Sequence, residues 1–445
     1  MPVAPIPAHP LLLLLLQVSA LLGMAFLLGR LATRLGMPAV VGELSVGLLL
    51  GPSLLGWAAP AVSDWLLPQA SEQVHMLDAV GQFGVLLLVA ITGIHMDTGL
   101  LRRRLGTGLS VSAAGLLIPF ALGMGVGMLI PAGMVGDRVD RPVFALFLGV
   151  AMSVTALPVI AKTLSDLKML HRNVGQLTLI AGMVDDAVGW FLLSVVAAMA
   201  ANGLHAGTVI ESALYLVGIV AVAATVGRPV VRRVYRLVDT TPNAGPAVAL
   251  TVLLVFLASA ATQAMHFEAV FGAFVVGVLI GACSGVRPAK LAPLRLVVMS
   301  VLAPLFFATA GLRMDLTELA RPTVLAVALI VLACAIAGKF AGAYVGARLS
   351  RLNRWEAIAL GAGMNSRGVI EVIVAMVGLR LGVLTTAGYT IVVLVAIVTS
   401  VMAPPILKWS VRRIELTAEE EARRATHDAY AIEDASDRAE RHHAG

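Results

Sequence analysis

Apolar runs long enough to cross a bilayer recur along almost the whole chain, separated by short clusters of charge or of Pro and Gly. A bilayer core takes about 20 apolar residues per helix. Only 13% of the 445 residues are charged, against 59% hydrophobic, whereas a soluble domain carries roughly 25% charged residues. Too little polar surface remains to cover a water-soluble globule, so the medium for most of this chain is lipid. The expected fold class is an all-α polytopic membrane protein.

Thirteen candidate spans follow from the runs: 10–33, 38–57, 74–96, 105–130, 142–163, 171–201, 207–228, 244–264, 266–283, 293–312, 322–349, 355–380 and 386–410. The first is read as a span and not a signal peptide, because no Lys or Arg precedes it and it continues to Leu28. Alternate connections are basic, as in Arg102-Arg103-Arg104 or Arg228, Arg232, Arg233 and Arg236, while the opposite set holds only Arg138, Arg141, Arg313, Arg321 and Arg380. The positive-inside rule then puts the N-terminus outside and the C-terminus in the cytoplasm. Residues 1–410 form the expected transmembrane domain and 411–445 a charged cytoplasmic tail. That tail lacks a Gly-rich phosphate loop, and His442-His443 reads as tail composition. The net charge of +6 is spread over these loops, which argues against nucleic acid as a partner. Cys283 and Cys334 both lie in apolar runs, so neither a disulfide framework nor a Cys-rich metal site is expected, and no cofactor is called for.

Two self-matches suggest an internal repeat. Gly42-Glu-Leu-Ser-Val-Gly-Leu-Leu-Leu-Gly51 resembles Gly272-Ala-Phe-Val-Val-Gly-Val-Leu-Ile-Gly281, and Thr92-Gly-Ile-His-Met-Asp97 resembles Ala310-Gly-Leu-Arg-Met-Asp315. Both pairs lie seven spans apart. An odd offset makes the halves cross the membrane in opposite senses, as in the inverted-topology repeats of secondary transporters. The fifth span should then pair with the twelfth. The fifth holds Ser153-Val-Thr-Ala-Leu-Pro158 and the twelfth Gly361-Ala-Gly-Met-Asn-Ser-Arg-Gly368. Pro removes a backbone donor and Gly loosens a helix, so both are candidates for unwinding. Broken helices in corresponding positions point to a transport site.

Five charges fall deep in the spans: Asp185 and Asp186 in the sixth, Lys339 in the eleventh, Arg367 and Glu371 in the twelfth. Glu43 lies nearer a span end. Each deep charge costs roughly 2.5–3.5 kcal/mol at a helix centre on insertion scales, so these residues must face protein or a water-filled cavity. Neighbours on a helix diverge by about 100°, which gives Asp185 and Asp186 different partners. One pairs with a cation, for which Lys339 is the natural candidate, and the other is free to bind an ion. A desolvated carboxylate holds a proton or a small cation, not both. Exclusive occupancy with alternating access is exchange. Lys339 is a second candidate proton carrier, since Lys, unlike Arg, loses its charge readily when buried. Arg367 and Glu371, four apart, can neutralise each other.

These residues, in this order, resemble the sodium/proton exchanger domain of the second monovalent cation:proton antiporter family over about 20–410. The resemblance rests on Gly42-Glu43 to Gly51-Pro-Ser-Leu-Leu-Gly56, Thr155-Ala-Leu-Pro158, Met183-Val-Asp-Asp186 with Trp190, Gly338-Lys339, and Asn365-Ser-Arg-Gly-Val-Ile-Glu371. It implies 13 transmembrane helices in two inverted repeats, an NhaA-type antiporter fold with crossed discontinuous helices, and a homodimer in a lipid membrane, the bacterial inner membrane being expected. It implies Asp186 as the carboxylate that binds the cation and the proton, Asp185 as the ion-pair partner of Lys339, and Thr155 beside the ion. Ser153, Pro158, Asn365, Ser366, Arg367 and Glu371 become supporting residues of the unwound stretches. The Asn-Ser-Arg-Gly…Glu run is similar to the cation/proton exchanger branch, with Na+ or K+ exchanged for H+.

Three other readings compete. A Kef-type potassium efflux system usually adds a nucleotide-binding domain, for which the tail has no motif. A sodium-coupled solute symporter needs a roomier site. An intramembrane aspartyl protease needs two carboxylates converging on one water, which neighbours on one helix do not provide, and no His-Glu-x-x-His pattern occurs. An enzyme is therefore not expected.

Overall fold

A computed structural model describes residues 6–68, 70–94, 105–137, 139–169, 171–202, 214, 218–219, 221–238, 243–265, 267–282, 288–418 and 420–421. The helices that position the interior are α1 (Ala8–Arg34), α2 (Ala39–Leu50), α3 (Ser71–Ile94), α4 (Leu105–Leu129), α5 (Arg141–Ser153), α6 (Leu157–Asp166), α7 (Asn173–Asn202), α8 (Gly245–Ala264), α9 (Ala269–Gly281), α10 (Pro288–Val297), α11 (Ala303–Gly311), α12 (Pro322–Leu349), α13 (Arg354–Met364), α14 (Val369–Arg380) and α15 (Thr386–Val411). A π-helical turn, Val298–Leu302, joins α10 to α11. Among the described residues there is no β-sheet, only one isolated bridge between Val135 and Leu384.

Nine helices among the described residues are long and apolar enough to cross a membrane, or ten if the bent pair α13–α14 counts as one span. Helical residues occur in every expected span; half of 207–228 lies outside the described residues, as do Arg102–Arg104, Cys283 and the tail beyond 421. Expected spans 142–163 and 355–380 are each two helices, and α5 and α9, at 13 residues, are too short to cross alone.

Glycines set how closely the helices approach. In α12, Gly338, Gly342 and Gly346 recur every fourth residue, the small-residue stripe that lets membrane helices pack backbone to backbone. A Cβ on Gly342 would lie 2.4 Å from the Ala114 carbonyl of α4, and one on Gly346 2.4 Å from that of Ser110. On its other side α4 meets α5, with Gly123 against Gly149. This sandwich carries Lys339, next to Gly338, into the interior, where it is 0% exposed.

The self-matching glycines make matching contacts with the halves exchanged. Gly42 abuts the Leu28 carbonyl of α1, and Gly272 abuts the Ala258 carbonyl of α8. Gly47 of α2 meets Gly311 of α11, while Gly277 of α9 meets Ala90 of α3. Gly311 in turn abuts Leu44 and Gly47, and Gly93 abuts Phe274 and Gly277.

After α15 the chain turns back onto the start of α7. The Glu420 carboxylate accepts from the Asn173 amide at 2.6 Å and pairs with Arg172 at 3.3 Å, so it neutralises the positive pole of that helix. Burial pushes the Glu420 carboxyl up, but the Thr417 and Asn173 amides and the Arg172 guanidinium outweigh it and hold it below the ordinary carboxylate range.

The glycine contacts predict opposite signs for two identical substitutions. Gly23 has no atom within 4 Å of an added Cβ, so Gly23→Ala should stabilise by up to about 1 kcal/mol through helix propensity. Gly342→Ala should destabilise by about 1–3 kcal/mol through overpacking. Thermal unfolding midpoints in one detergent check the pair.

Candidate functional site

Two helix breaks meet in the interior. The first is Val154–Ala156, between α5 and α6; Val154 is extended, at φ −73° and ψ 146°. Pro158 is the second residue of α6, in the first turn, where a missing amide proton costs no helical bond. The second break is Asn365–Gly368, across which α13 and α14 bend by 42°. Gly368 has φ +148°, a conformation open to glycine and strained for any other residue, and its carbonyl neighbour Arg367 accepts from the Ser400 hydroxyl. The breaks are tied directly: the Ala156 amide donates to the Ser366 carbonyl at 3.3 Å, and the Thr155 hydroxyl oxygen lies 3.1 Å from the Met364 carbonyl oxygen.

A helix that stops inside protein leaves its last carbonyls without partners. At the end of α5 two cations take them. Lys339 Nζ donates to the Ser153 carbonyl at 2.5 Å, and Arg367 donates to those of Ala151 at 3.3 Å and Met152 at 2.7 Å. Both charges thus sit at the negative pole of α5. Arg367 also reaches the Ala335 carbonyl of α12 and pairs with Glu371 at 3.1 Å. It does so from the break, just before the Gly368 cap of α14, while Glu371 lies in the first turn of that helix.

The aspartates of α7 have unlike surroundings, although both are 0% exposed. Asp185 is fully engaged. Lys339 pairs with its Oδ2, the Thr155 hydroxyl donates to the same oxygen at 2.8 Å, and the Ser112 hydroxyl of α4 donates to Oδ1. Asp186 accepts one bond, from the Leu157 amide at 3.3 Å, at the positive pole of α6. Its Oδ2 is buried with no hydrogen-bond partner. Thr155 therefore faces Asp185 rather than Asp186. Ser153 uses its hydroxyl locally, on the Val150 carbonyl. Asn365 and Ser366 are 0% and 1% exposed, and their side-chain oxygens lack partners.

Sequence reasoning missed Ser112, a lone hydroxyl in an apolar run with no local signal. It also missed polar groups at the end of the bundle that carries the start of α1. There, a cavity of about 500 Å³ is lined by Gln17, Ser63, Gln73, Asp78, Thr309 and Arg313, among others. A smaller one of about 130 Å³, sharing Asp78 and Arg313, lies between α3, α11 and α14. Arg313 pairs with Asp78, and Arg380 of α14 pairs with Glu268, just before α9. Glu43 is half-buried in α2, beside Gly29 of α1.

The family model described as sodium/hydrogen exchanger, transmembrane, matches residues 20–413. The chain is 31% identical over 404 residues to the Na(+)/H(+) antiporter NhaS4 of Synechocystis sp., covering 90% of this chain and 97% of the relative. It is 30% identical to Cation/H(+) antiporter 17 of Arabidopsis thaliana, spanning 90% of this chain but 48%, about half, of the plant protein. The solved structure of the sodium proton antiporter MjNhaP1 from Methanocaldococcus jannaschii superposes with a TM-score of 0.67, over 90% of this chain and 98% of that one, at 15% identity. That likeness establishes a shared fold. The chain is a multi-pass membrane protein, and these relatives are transporters, not enzymes.

Removing one member of a buried ion pair strands the other, at about 3–5 kcal/mol. Lys339→Met and Asp185→Asn should each destabilise the protein on that scale, and the double variant by clearly less than their sum. Denaturation of the four proteins in one detergent measures the coupling; strict additivity would contradict the pairing.

Proposed function

The chain belongs to the sodium/hydrogen exchanger family, and on that premise we propose that it exchanges a monovalent cation, Na+ or K+, for H+ at Asp186 by alternating access. The carrying observation is the asymmetry of the two aspartates. Asp185 is neutralised by Lys339 and saturated with donors, whereas Asp186 keeps one buried oxygen, Oδ2, free of any hydrogen bond. A carboxylate in that position takes a proton or a cation, and each occupant excludes the other. Exposing it alternately to the two sides couples the two flows. Neither a covalent intermediate nor a cofactor is needed.

In this reading the membrane domain comprises 13 spans in two inverted repeats with the NhaA-type crossing, followed by a cytoplasmic tail from 411. The exchanged glycine contacts support it: α2 uses α1 and α11 as α9 uses α8 and α3. The tied breaks at 154–156 and 365–368 support it too, since half-helix poles facing a midplane site are how such repeats hold ions. The cavities around Asp78 and Arg313 lie at the end assigned to the outside and would serve the approach from that face. Apolar residues exposed along α1, such as Leu12, Leu15, Phe26 and Leu27, are available to lipid or to a second copy in a homodimer. Lys339 is in place to lose its proton when Asp186 takes a cation, which would make the exchange electrogenic.

The test is cation-driven dissipation of a pH gradient in proteoliposomes, comparing Li+, Na+, K+ and Rb+. The wild type should respond to Na+ or K+, and Asp186→Asn should fall to the protein-free background. Wild-type rates in Asp186→Asn would overturn the assignment.

A further inference from the structure

We propose that Asn365 and Ser366, in the break between α13 and α14, give neutral oxygen ligands to the transported cation beside Asp186 and set its selectivity. The inference rests on the exchange reading above. An alkali cation that leaves water needs its hydration shell replaced by oxygens. Asp186 cannot supply that shell alone, because its Oδ1 already accepts from the Leu157 amide.

The second break is placed to complete it. Consecutive amides at the junction of the first break and α6 hold the two sides together: Ala156 N binds the Ser366 carbonyl, and Leu157 N binds Asp186. One residue earlier, the Thr155 hydroxyl oxygen lies 3.1 Å from the Met364 carbonyl oxygen. Residues 364–366 and the Asp186 carboxylate are therefore neighbours across the same short stretch of chain.

Within that region three buried side-chain oxygens have no hydrogen-bond partner: Asp186 Oδ2, Asn365 Oδ1 and Ser366 Oγ. Several buried hydroxyls in intact helices here bond back to a carbonyl four residues earlier, as Thr178, Thr251 and Thr399 do, whereas those of Thr163, Ser194 and Ser259 have no partner. Ser366 lies past the end of α13, where that local partner is not used. Asn365 spends its amide nitrogen on Met402 Sδ at 3.8 Å, a weak bond that leaves the oxygen uncommitted. An unpaired buried oxygen is costly unless something positive approaches it. One carboxylate oxygen with two neutral oxygens gives the mixed donor set whose number and field strength separate Na+ from K+.

The experiment measures apparent KM for Na+ and K+ in proteoliposomes for wild type, Ser366→Ala, Asn365→Ala, Ser366→Thr and Asp186→Asn. Each alanine variant should raise KM for the preferred cation by about tenfold and shift the Na+/K+ preference. Maximal rate should stay within about twofold, because the proton still binds Asp186. Ser366→Thr, which keeps the hydroxyl, should restore the wild-type KM. The unfolding midpoint of Ser366→Ala should match wild type, since the atom removed holds no hydrogen bond; that variant decides the question even if Asn365→Ala fails to fold. Unchanged KM and preference in Ser366→Ala, alongside an inactive Asp186→Asn, would overturn this inference and leave the exchange reading standing. Exchange surviving in Asp186→Asn would overturn both.

Discussion

The interior of this protein is organised around a buried ion pair, Lys339 with Asp185. Two charges with no exposure to water are costly in a low-dielectric interior, and attraction repays that cost only when every remaining donor and acceptor is met. Here the pair is supported from three further elements. Ser112 comes from α4, Thr155 from the first break, the Ser153 carbonyl from the end of α5, and the pair itself from α7 and α12. The first break is thereby fixed at its α5 end by Lys339 and Arg367 and at Thr155 by Asp185. Just past the break, the Leu157 amide at the start of α6 donates to Asp186. The pair thus frees the second aspartate by satisfying the first.

The same interaction explains why the helices need glycine. Lys339 reaches Asp185 because α12 lies backbone to backbone against α4 through Gly342 and Gly346. A larger residue at either position would push α12 outward and draw the ammonium away from its carboxylate. Close packing and the polar site are one design: lipid gives no hydrophobic drive between helices, so small-residue contacts hold the elements that deliver the charges.

Much of this was legible in the sequence, for physical reasons. Charges in apolar runs are expensive, so Asp185, Asp186, Lys339, Arg367 and Glu371 announced themselves, and helix geometry alone separated the two aspartates. Pro158 and the glycines around Asn365 marked stretches where the structure has its breaks. Ser112 gave no signal, because one hydroxyl among apolar residues is unremarkable until the helix opposite is known. Thr155 was grouped with the ion, but its hydroxyl points to Asp185. Arg367 was read as a partner of Glu371 and as part of an unwound stretch, but its ties to α5 and α12 are set by backbone carbonyls that no side-chain pattern records. Arg313 and Arg380 were read only as loop charges, since their partners Asp78 and Glu268 lie more than a hundred residues away.

The central claim is that proton and cation compete for Asp186. Its most direct test is proton release on cation binding, followed with a pH indicator in weakly buffered detergent solution as NaCl or KCl is added to purified protein. At a pH where Asp186 is protonated, binding should release protons saturably, and the apparent Kd for the cation should rise at least about tenfold for each unit of acidification. Asp186→Asn should release none. Cation binding that releases no proton, or whose affinity is independent of pH, would contradict the account.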